Sequence, residues 1–213
     1  MNFLPAEIEM YAEKFTQPES KILQELNRET NAHVLQPRML SGHLQGRLLS
    51  LISKMIQPSL ILEIGTYTGY SAICMAEGLR KEGVLHTIEV NEELKDIILS
   101  YITKARLQEK IKLHIGNAKE IIPRINGSFD LIFIDADKEN YSAYFDLTVD
   151  RTKQGGFIIA DNVLWSGNVL KPFHQMDAET KALSEYTEKV YADDRVESLL
   201  LPVRDGLLIS RKK

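Results

Sequence analysis

Leu60-Ile61-Leu62-Glu63-Ile64-Gly65-Thr66-Tyr67-Thr68-Gly69-Tyr70-Ser71 reads as a short apolar strand, a tight turn and the start of a helix. Gly65 and Gly69 bracket the turn, where a backbone without Cβ bends sharply and admits close approach. Helical spacing continues over residues 70–80, so the stretch opens a strand–helix unit. The alternation then repeats. Apolar or β-branched runs at 84–90, 111–115, 129–134 and 157–160 predict strands, with helices expected near 92–105, 118–125 and 141–152. In the first of these helices Leu94, Ile97, Ile98, Tyr101 and Ile102 form one apolar stripe. Such alternation implies βαβ units and a mainly parallel sheet with helices on both faces.

Upstream, Leu4, Ile8, Tyr11, Ala12 and Phe15 recur at helical spacing, as do Leu44, Leu48, Leu49, Leu51, Ile52, Met55 and Ile56. A weaker helix is expected over residues 20–34, with Pro37 as a break. Downstream, a polar helix near 179–193 precedes apolar runs at 196–203 and 207–210, joined through Arg204-Asp205-Gly206. That is a hairpin signal. The expected fold class is α/β, a doubly wound, mainly parallel sheet with a C-terminal antiparallel hairpin. Residues 1–58 form a helical extension and 59–213 the α/β core. No repeat or Pro/Gly/Ser-rich linker divides the 213 residues, a length that suits one large domain.

Composition narrows the function classes. Hydrophobic residues at 44% and charged ones at 26% are ordinary for a packed globule. The longest stretch without Asp, Glu, Lys or Arg is 13 residues, from Ile64 to Ala76, too short to span a bilayer. Glu7, Glu9 and Glu13 stand where a secretory signal needs a basic flank and an apolar run. The single cysteine, Cys74, has no internal disulfide partner, which points to a reducing cytoplasm. A net charge of −4 disfavours broad binding to nucleic acid, which needs many phosphate contacts.

In doubly wound sheets ligands bind beyond the carboxyl ends of the strands, at the point where strand order reverses. Polar, Gly-rich features are therefore expected just after strands, and four are present. The first is the Gly65–Gly69 turn, whose following helix offers free N–H groups to an anionic group. It lacks the middle glycine of a dinucleotide fingerprint, and Glu63 would repel a pyrophosphate. The second is Glu89, 20 residues after Gly69, placed to accept both ribose hydroxyls. The third is Gly116-Asn117-Ala118, suited to close approach by a flat adenine.

The fourth pairs two strand ends, Phe133-Ile134-Asp135-Ala136-Asp137-Lys138 and Ile159-Ala160-Asp161-Asn162, with Asp161 26 residues after Asp135. Asp135, Asp161 and Asn162 supply three hard oxygen ligands for an octahedral Mg²⁺, leaving open positions for substrate and water. Helix N-capping would explain either strand end alone. Both together favour the metal.

With these motifs the chain resembles the metal-dependent S-adenosylmethionine O-methyltransferases of caffeoyl-CoA and catechol type, in their small bacterial branch. The resemblance runs from Met39-Leu40-Ser41 through 62–71, 133–141 and Asp161-Asn162-Val163-Leu164-Trp165 to the C-terminal hairpin. It implies a Rossmann-like methyltransferase fold. By position it implies that Ser41, Glu63, Gly65, Thr66, Ser71, Glu89, Ala118 and Asp135 hold S-adenosylmethionine. Asp135, Asp161 and Asn162 would bind a divalent metal (Mg, with Mn or Ca as alternatives), and Lys138 aligns with the family's catalytic lysine. The implied reaction moves a methyl group to one oxygen of a vicinal dihydroxy, catechol-like phenolic compound, in a cytoplasmic homodimer without membrane contact. Two positions depart from the pattern. Asn117 stands where relatives often carry an acidic residue beside adenine, and Ser166 where plant enzymes place Asn towards substrate.

Other readings keep their tests. Some bacterial relatives methylate a hydroxylated uridine in tRNA, and Arg38, Arg47 and Lys171 are candidates for a local basic groove. A nicotinamide (NAD) oxidoreductase would require NADH binding. A non-catalytic nucleotide-binding module would bind cofactor without turnover and leaves Lys138 unexplained. Trp165 and Phe173 follow the second ligand block and are candidates for the acceptor wall. Tyr141 and Tyr144, one helical turn apart, are expected in the core, as is Cys74. His33, His43, His86, His114 and His174 show no ligand spacing and are expected to be surface or structural.

Overall fold

A computed structural model describes residues 5–213. Three helices come first: α1 (Ala6–Lys14), α2 (Lys21–His33) and α3 (Gly42–Ile56). Strands and helices then alternate: β1 (Leu60–Ile64), α4 (Tyr70–Ala76), β2 (Val84–Glu89), α5 (Lys95–Lys104), β3 (Ile111–Ile115), α6 (Ala118–Ile121), β4 (Phe129–Ile134), α7 (Tyr141–Thr148) and β5 (Thr152–Asp161). The chain closes with α8 (Ala178–Tyr191), β6 (Val196–Leu201) and β7 (Leu207–Lys212). Leu4, the first member of the N-terminal stripe, lies outside the described residues.

The seven strands form one sheet in the order β3-β2-β1-β4-β5-β7-β6. Strands β1 to β5 run parallel, while β7 is antiparallel to both β5 and β6. The order reverses between β1 and β4, so their carboxyl ends flank the switch point. Period-two alternation separates two cores. Ile61, Leu131, Phe133 and Ile159 face α2 to α5, and Leu62, Ile64, Ile132, Ile134, Ile158 and Ala160 face α6 to α8.

The last helix of the extension, α3, departs from the expected stripe. Leu49 is buried on α3, but Leu51 and Met55 are 58% and 77% exposed, and the rest of the buried face is Gln45, Gly46, Ser50 and Ser53. Small residues win there because α3 lies close against α4. A Cβ on Gly46 would sit 2.5 Å from the Tyr70 ring, and Ser53 Oγ donates to the Met75 carbonyl at 2.6 Å. Strand β5 begins at Thr152, five residues before the expected start, because polar, glycine-containing Thr152–Gly156 gives no apolar signal.

Two of the five histidines meet across neighbouring strands. His86 on β2 and His114 on β3 stack with Nδ1 and Nε2 2.8 Å apart. Burial lowers both imidazoles below their ordinary 6.5, and the charge of His114 lowers His86 further. Depressed folded-state values mean that the unfolded chain takes up protons first as the pH falls. Stability should therefore fall from about pH 6.5 downward, and His114→Gln should flatten that fall. Urea melts of both proteins between pH 7.5 and 5 check it; parallel curves would refute it.

Candidate active site

The carboxyl ends of β1, β2, β4 and β5 bring most of the predicted residues together. Gly65 adopts φ +97, and a Cβ on it would lie 1.9 Å from the Asp135 carbonyl oxygen. Its N–H donates to the Ile88 carbonyl at 3.0 Å, and the Asp135 N–H to the Ile64 carbonyl at 2.9 Å. The glycine is thus required by the strand end beside it, which lets β1 and β4 close on each other. Gly69, at φ +91, meets only Ile98 at 3.6 Å, so there the left-handed backbone is the requirement.

Glu89 ties this turn down. Its Oε2 accepts from Tyr67 N at 2.7 Å and its Oε1 from Asn91 N at 2.9 Å. Each carboxylate oxygen has a second lone pair, so acceptor capacity remains for a diol. Glu63 is fully buried inside β1, and burial pushes its carboxyl up to about 8 against the neighbouring Ser71 and Thr87 hydroxyls. Thr87 Oγ1 donates to Glu63 Oε2 at 2.5 Å and lies 2.5 Å from Thr66 Oγ1. Glu63 Oε1 makes no hydrogen bond among the described residues. A buried acceptor left open beside a Gly-rich turn fits a cationic ligand group such as an ammonium. Ser41, Thr66, Ser71 and Ala118 are buried around the same strand ends, and Asn117 caps α6 by accepting from Lys119 N at 2.9 Å.

The metal candidates sit one strand over. Lys138, 7% exposed, places Nζ 3.2 Å from Asp135 Oδ1, 2.9 Å from Asn162 Oδ1 and 2.7 Å from the Tyr141 hydroxyl. One cationic atom already reaches two of the three proposed ligand oxygens. Asp161 is buried beside them, and burial, then the charge of Asp135, raises its carboxyl well above the usual range. Two neighbouring carboxyl groups plus an amide oxygen are a donor set that suits a hard divalent cation. No group of three or more His, Cys, Asp or Glu placed to hold a metal ion gathers among the described residues, here or elsewhere; the third oxygen of this set is the Asn162 amide.

Backbone strain concentrates in the segment that follows. Asn162, Trp165 and Ser166 all have positive φ, at 61°, 43° and 54°. Such conformations persist where surrounding contacts over-determine them, and they cluster at functional sites. Trp165 packs against the core and its ring centroid lies 5.7 Å from Lys138 Nζ, whereas Phe173 is 53% exposed. Tyr141 joins the core, edge-on to Tyr186, yet its hydroxyl also bridges the strand ends, donating to the Asp161 carbonyl at 3.1 Å. Tyr144 likewise donates to Asp137 Oδ1 at 2.5 Å. Their i, i+3 spacing signalled burial and gave no hint of these hydroxyl contacts.

Arg47 does not join a free basic groove, because it pairs with Glu77 at 2.7 Å on the α3–α4 contact. A surface cleft of about 620 Å³ lined by His86, His114, Arg124 and Asn126 shares no residue with the strand-end site. No helix among the described residues is long and apolar enough to cross a membrane.

A doubly wound sheet with a C-terminal hairpin and an acidic and amide cluster at its switch point defines a Rossmann-like transferase architecture. The family model described as O-methyltransferase matches residues 12–213, and the chain belongs to that family. It is 34% identical over 210 residues to caffeoyl-CoA O-methyltransferase 1 of Arabidopsis thaliana, covering 92% of this chain and 79% of that protein. It is 31% identical over 204 residues to the caffeoyl-CoA O-methyltransferase of Stellaria longipes, covering 91% and 84%. Among solved structures, an O-methyltransferase from Bacillus cereus in complex with SAH superposes with TM-score 0.90 at 30% identity, covering 97% of each chain. A SAH-bound methyltransferase from Podospora anserina gives TM-score 0.91 at 28% identity, covering 100% and 99%.

Proposed function

We propose that this O-methyltransferase uses S-adenosylmethionine to methylate one hydroxyl of a vicinal dihydroxy, catechol-like small molecule, with a divalent cation at Asp135, Asp161 and Asn162. The observation that carries the proposal is the convergence of Asp135, Lys138 and Asn162 at 2.9–3.2 Å beside buried Asp161. A cation there would withdraw charge from a bound hydroxyl and favour its ionised form. The chain's own groups do the rest. Lys138, in its uncharged amine form, accepts the hydroxyl proton at Nζ, and Tyr141 holds that amine in place through its hydroxyl. Gly65, Thr66, Ser71, Ser41 and Ala118 shape the cofactor cleft. Glu63 Oε1 takes the cofactor's ammonium and Glu89 its ribose. SAH, the demethylated cofactor, is named in both solved neighbours, which supports the choice of cofactor. Alignment of the two bound reactants supplies several kcal/mol of the rate, about 7 or more in well-oriented systems.

The whole chain serves as one methyltransferase domain in this proposal. Leu51 and Met55 on α3, with Ile8, Tyr11 and Phe15 on α1, expose an apolar surface suited to pairing two copies.

Glu89→Ala should weaken SAH binding by about 2–4 kcal/mol, through lost charge-assisted hydrogen bonds and a loosened Tyr67 turn. Calorimetry reads this directly, and unchanged affinity would remove Glu89 from the cofactor site. The acceptor is tested by transfer of labelled methyl to a catechol panel and to bulk tRNA, with and without chelator. Chelator-sensitive labelling of catechols is expected. Labelling of tRNA alone would replace this acceptor class, and NADH binding would replace the cofactor.

A further inference from the structure

Two side chains outside the predicted site, buried Gln45 and exposed Arg204, link Asp161 to distant parts of the chain. Gln45, on α3 and 1% exposed, donates from Nε2 to Asp161 Oδ2 at 2.5 Å. Arg204, in the turn between β6 and β7, donates from Nη1 to Gln45 Oε1 at 2.6 Å and to the Ser41 carbonyl, and from Nη2 to the Leu40 carbonyl at 3.4 Å. A guanidinium has only donors. It therefore fixes which end of the Gln45 amide is oxygen and leaves the amide N–H₂ facing the carboxylate. Asn162 N donates to Asp161 Oδ1 at 2.7 Å, so both carboxylate oxygens have a set donor.

The backbone of Arg204 carries a second sign. Its φ is +51, a conformation disfavoured for any residue with a side chain. Three acceptors hold it there. The same turn grips the segment after Asp161: Val163 N and Leu164 N donate to the Gly206 and Asp205 carbonyls at 3.2 and 2.9 Å. Ser166 N donates to Asp205 Oδ1 at 2.5 Å. A Cβ on Gly206 would meet Leu164 at 2.5 Å, so the turn lies directly on that segment.

We propose that Arg204 and Gln45 are positioning residues for the cation, Arg204 orienting the Gln45 amide and Gln45 holding the Asp161 carboxylate. The assignment rests on Asp135, Asp161 and Asn162 being the metal ligands. It makes the hairpin turn and the helical extension parts of one clasp on the ligand strand, with ordering of Leu40 and Ser41 as its other end.

Arg204→Gly is the informative variant, because glycine relaxes the left-handed backbone while removing the guanidinium. Gln45→Met keeps the volume and removes both polar ends. Mn²⁺ binding to the full chain is measured by titration calorimetry, with SAH binding to Gln45→Met and thermal melts as controls. Each single variant should weaken Mn²⁺ binding about 10- to 100-fold, as loss of an outer partner does at other metal sites. The double variant should cost no more than the worse single, because Arg204 acts through Gln45. Melts should stay cooperative, and Gln45→Met should still bind SAH. Unchanged Mn²⁺ affinity in both single variants would overturn the proposal. So would fully additive losses accompanied by loss of SAH binding, the mark of general loosening. A wild type that binds no Mn²⁺ would instead refute the ligand assignment, and this inference with it.

Discussion

Replacing Asp161 with alanine should cut catechol methylation more than about a hundredfold at low metal, beyond what loss of an outer partner costs. The side chain is buried at the end of β5, and its Oδ1 accepts from Asn162 N at 2.7 Å. High Mg²⁺ or Mn²⁺ should restore part of the rate, since Asp135 and Asn162 keep their oxygens. Stability should respond in the opposite sense. The raised titration of Asp161 means that the metal-free protein gains stability from this group at low pH. That gain is lost as the pH rises from the ordinary 3.8 through the folded-state value. Asp161→Ala has no such loss, so its metal-free melting temperature should fall less than that of wild type between acid pH and neutrality. A mere capping carboxylate predicts the reverse pattern, with stability down and activity kept. Initial rates against metal concentration, with melts in chelator, separate the two. A chelated wild type that remains fully active would refute the metal mechanism.

How far the sequence reaches is visible in particular residues. The βαβ alternation was legible because β1 and β4 are almost wholly buried and read as short apolar runs interrupted only by Glu63 and Asp130. The strand-end positions of Glu89, Asp135, Asp161 and Asn162 were legible as candidates because ligands in this architecture meet the carboxyl ends of strands, whereas Glu63, inside β1, entered as a candidate only through the family resemblance. Helix α3 misled because the apolar count rewards bulk. Close approach to α4 instead selected Gly46 and Ser53 for burial and left Leu51 and Met55 outside. Gln45 and Arg204 carried no signal at all. They lie 159 residues apart, and a lone glutamine on a helix and an arginine in a turn are ordinary surface residues until the sheet brings them together. The His86–His114 contact was hidden likewise, since adjacency of β2 and β3 is a property of the sheet and not of the spacing.

Lys138→Met should lower kcat by about a hundredfold to ten-thousandfold, the range for a positioned general base. The geometry separates this loss from loss of metal. Nζ touches Asp135 Oδ1 and Asn162 Oδ1, so a divalent cation at the proposed site would meet the lysine head group at the same two oxygens. Removing the ammonium leaves every proposed ligand in place, and Mn²⁺ affinity should not fall. Cofactor affinity should hold as well, because Lys138 makes no contact with the Gly65–Gly69 turn among its hydrogen bonds. Arginine should not rescue the variant, since a guanidinium keeps its proton at any working pH and cannot serve as a base. Raising the pH should restore part of the rate in Lys138→Met, because the acceptor hydroxyl then ionises to solvent without a protein group. The decisive measurement is kcat against pH for wild type, Lys138→Met and Lys138→Arg at saturating S-adenosylmethionine and Mg²⁺. Equal kcat in all three would make Lys138 a buried counter-charge for Asp135, and the proton would have to leave by another route.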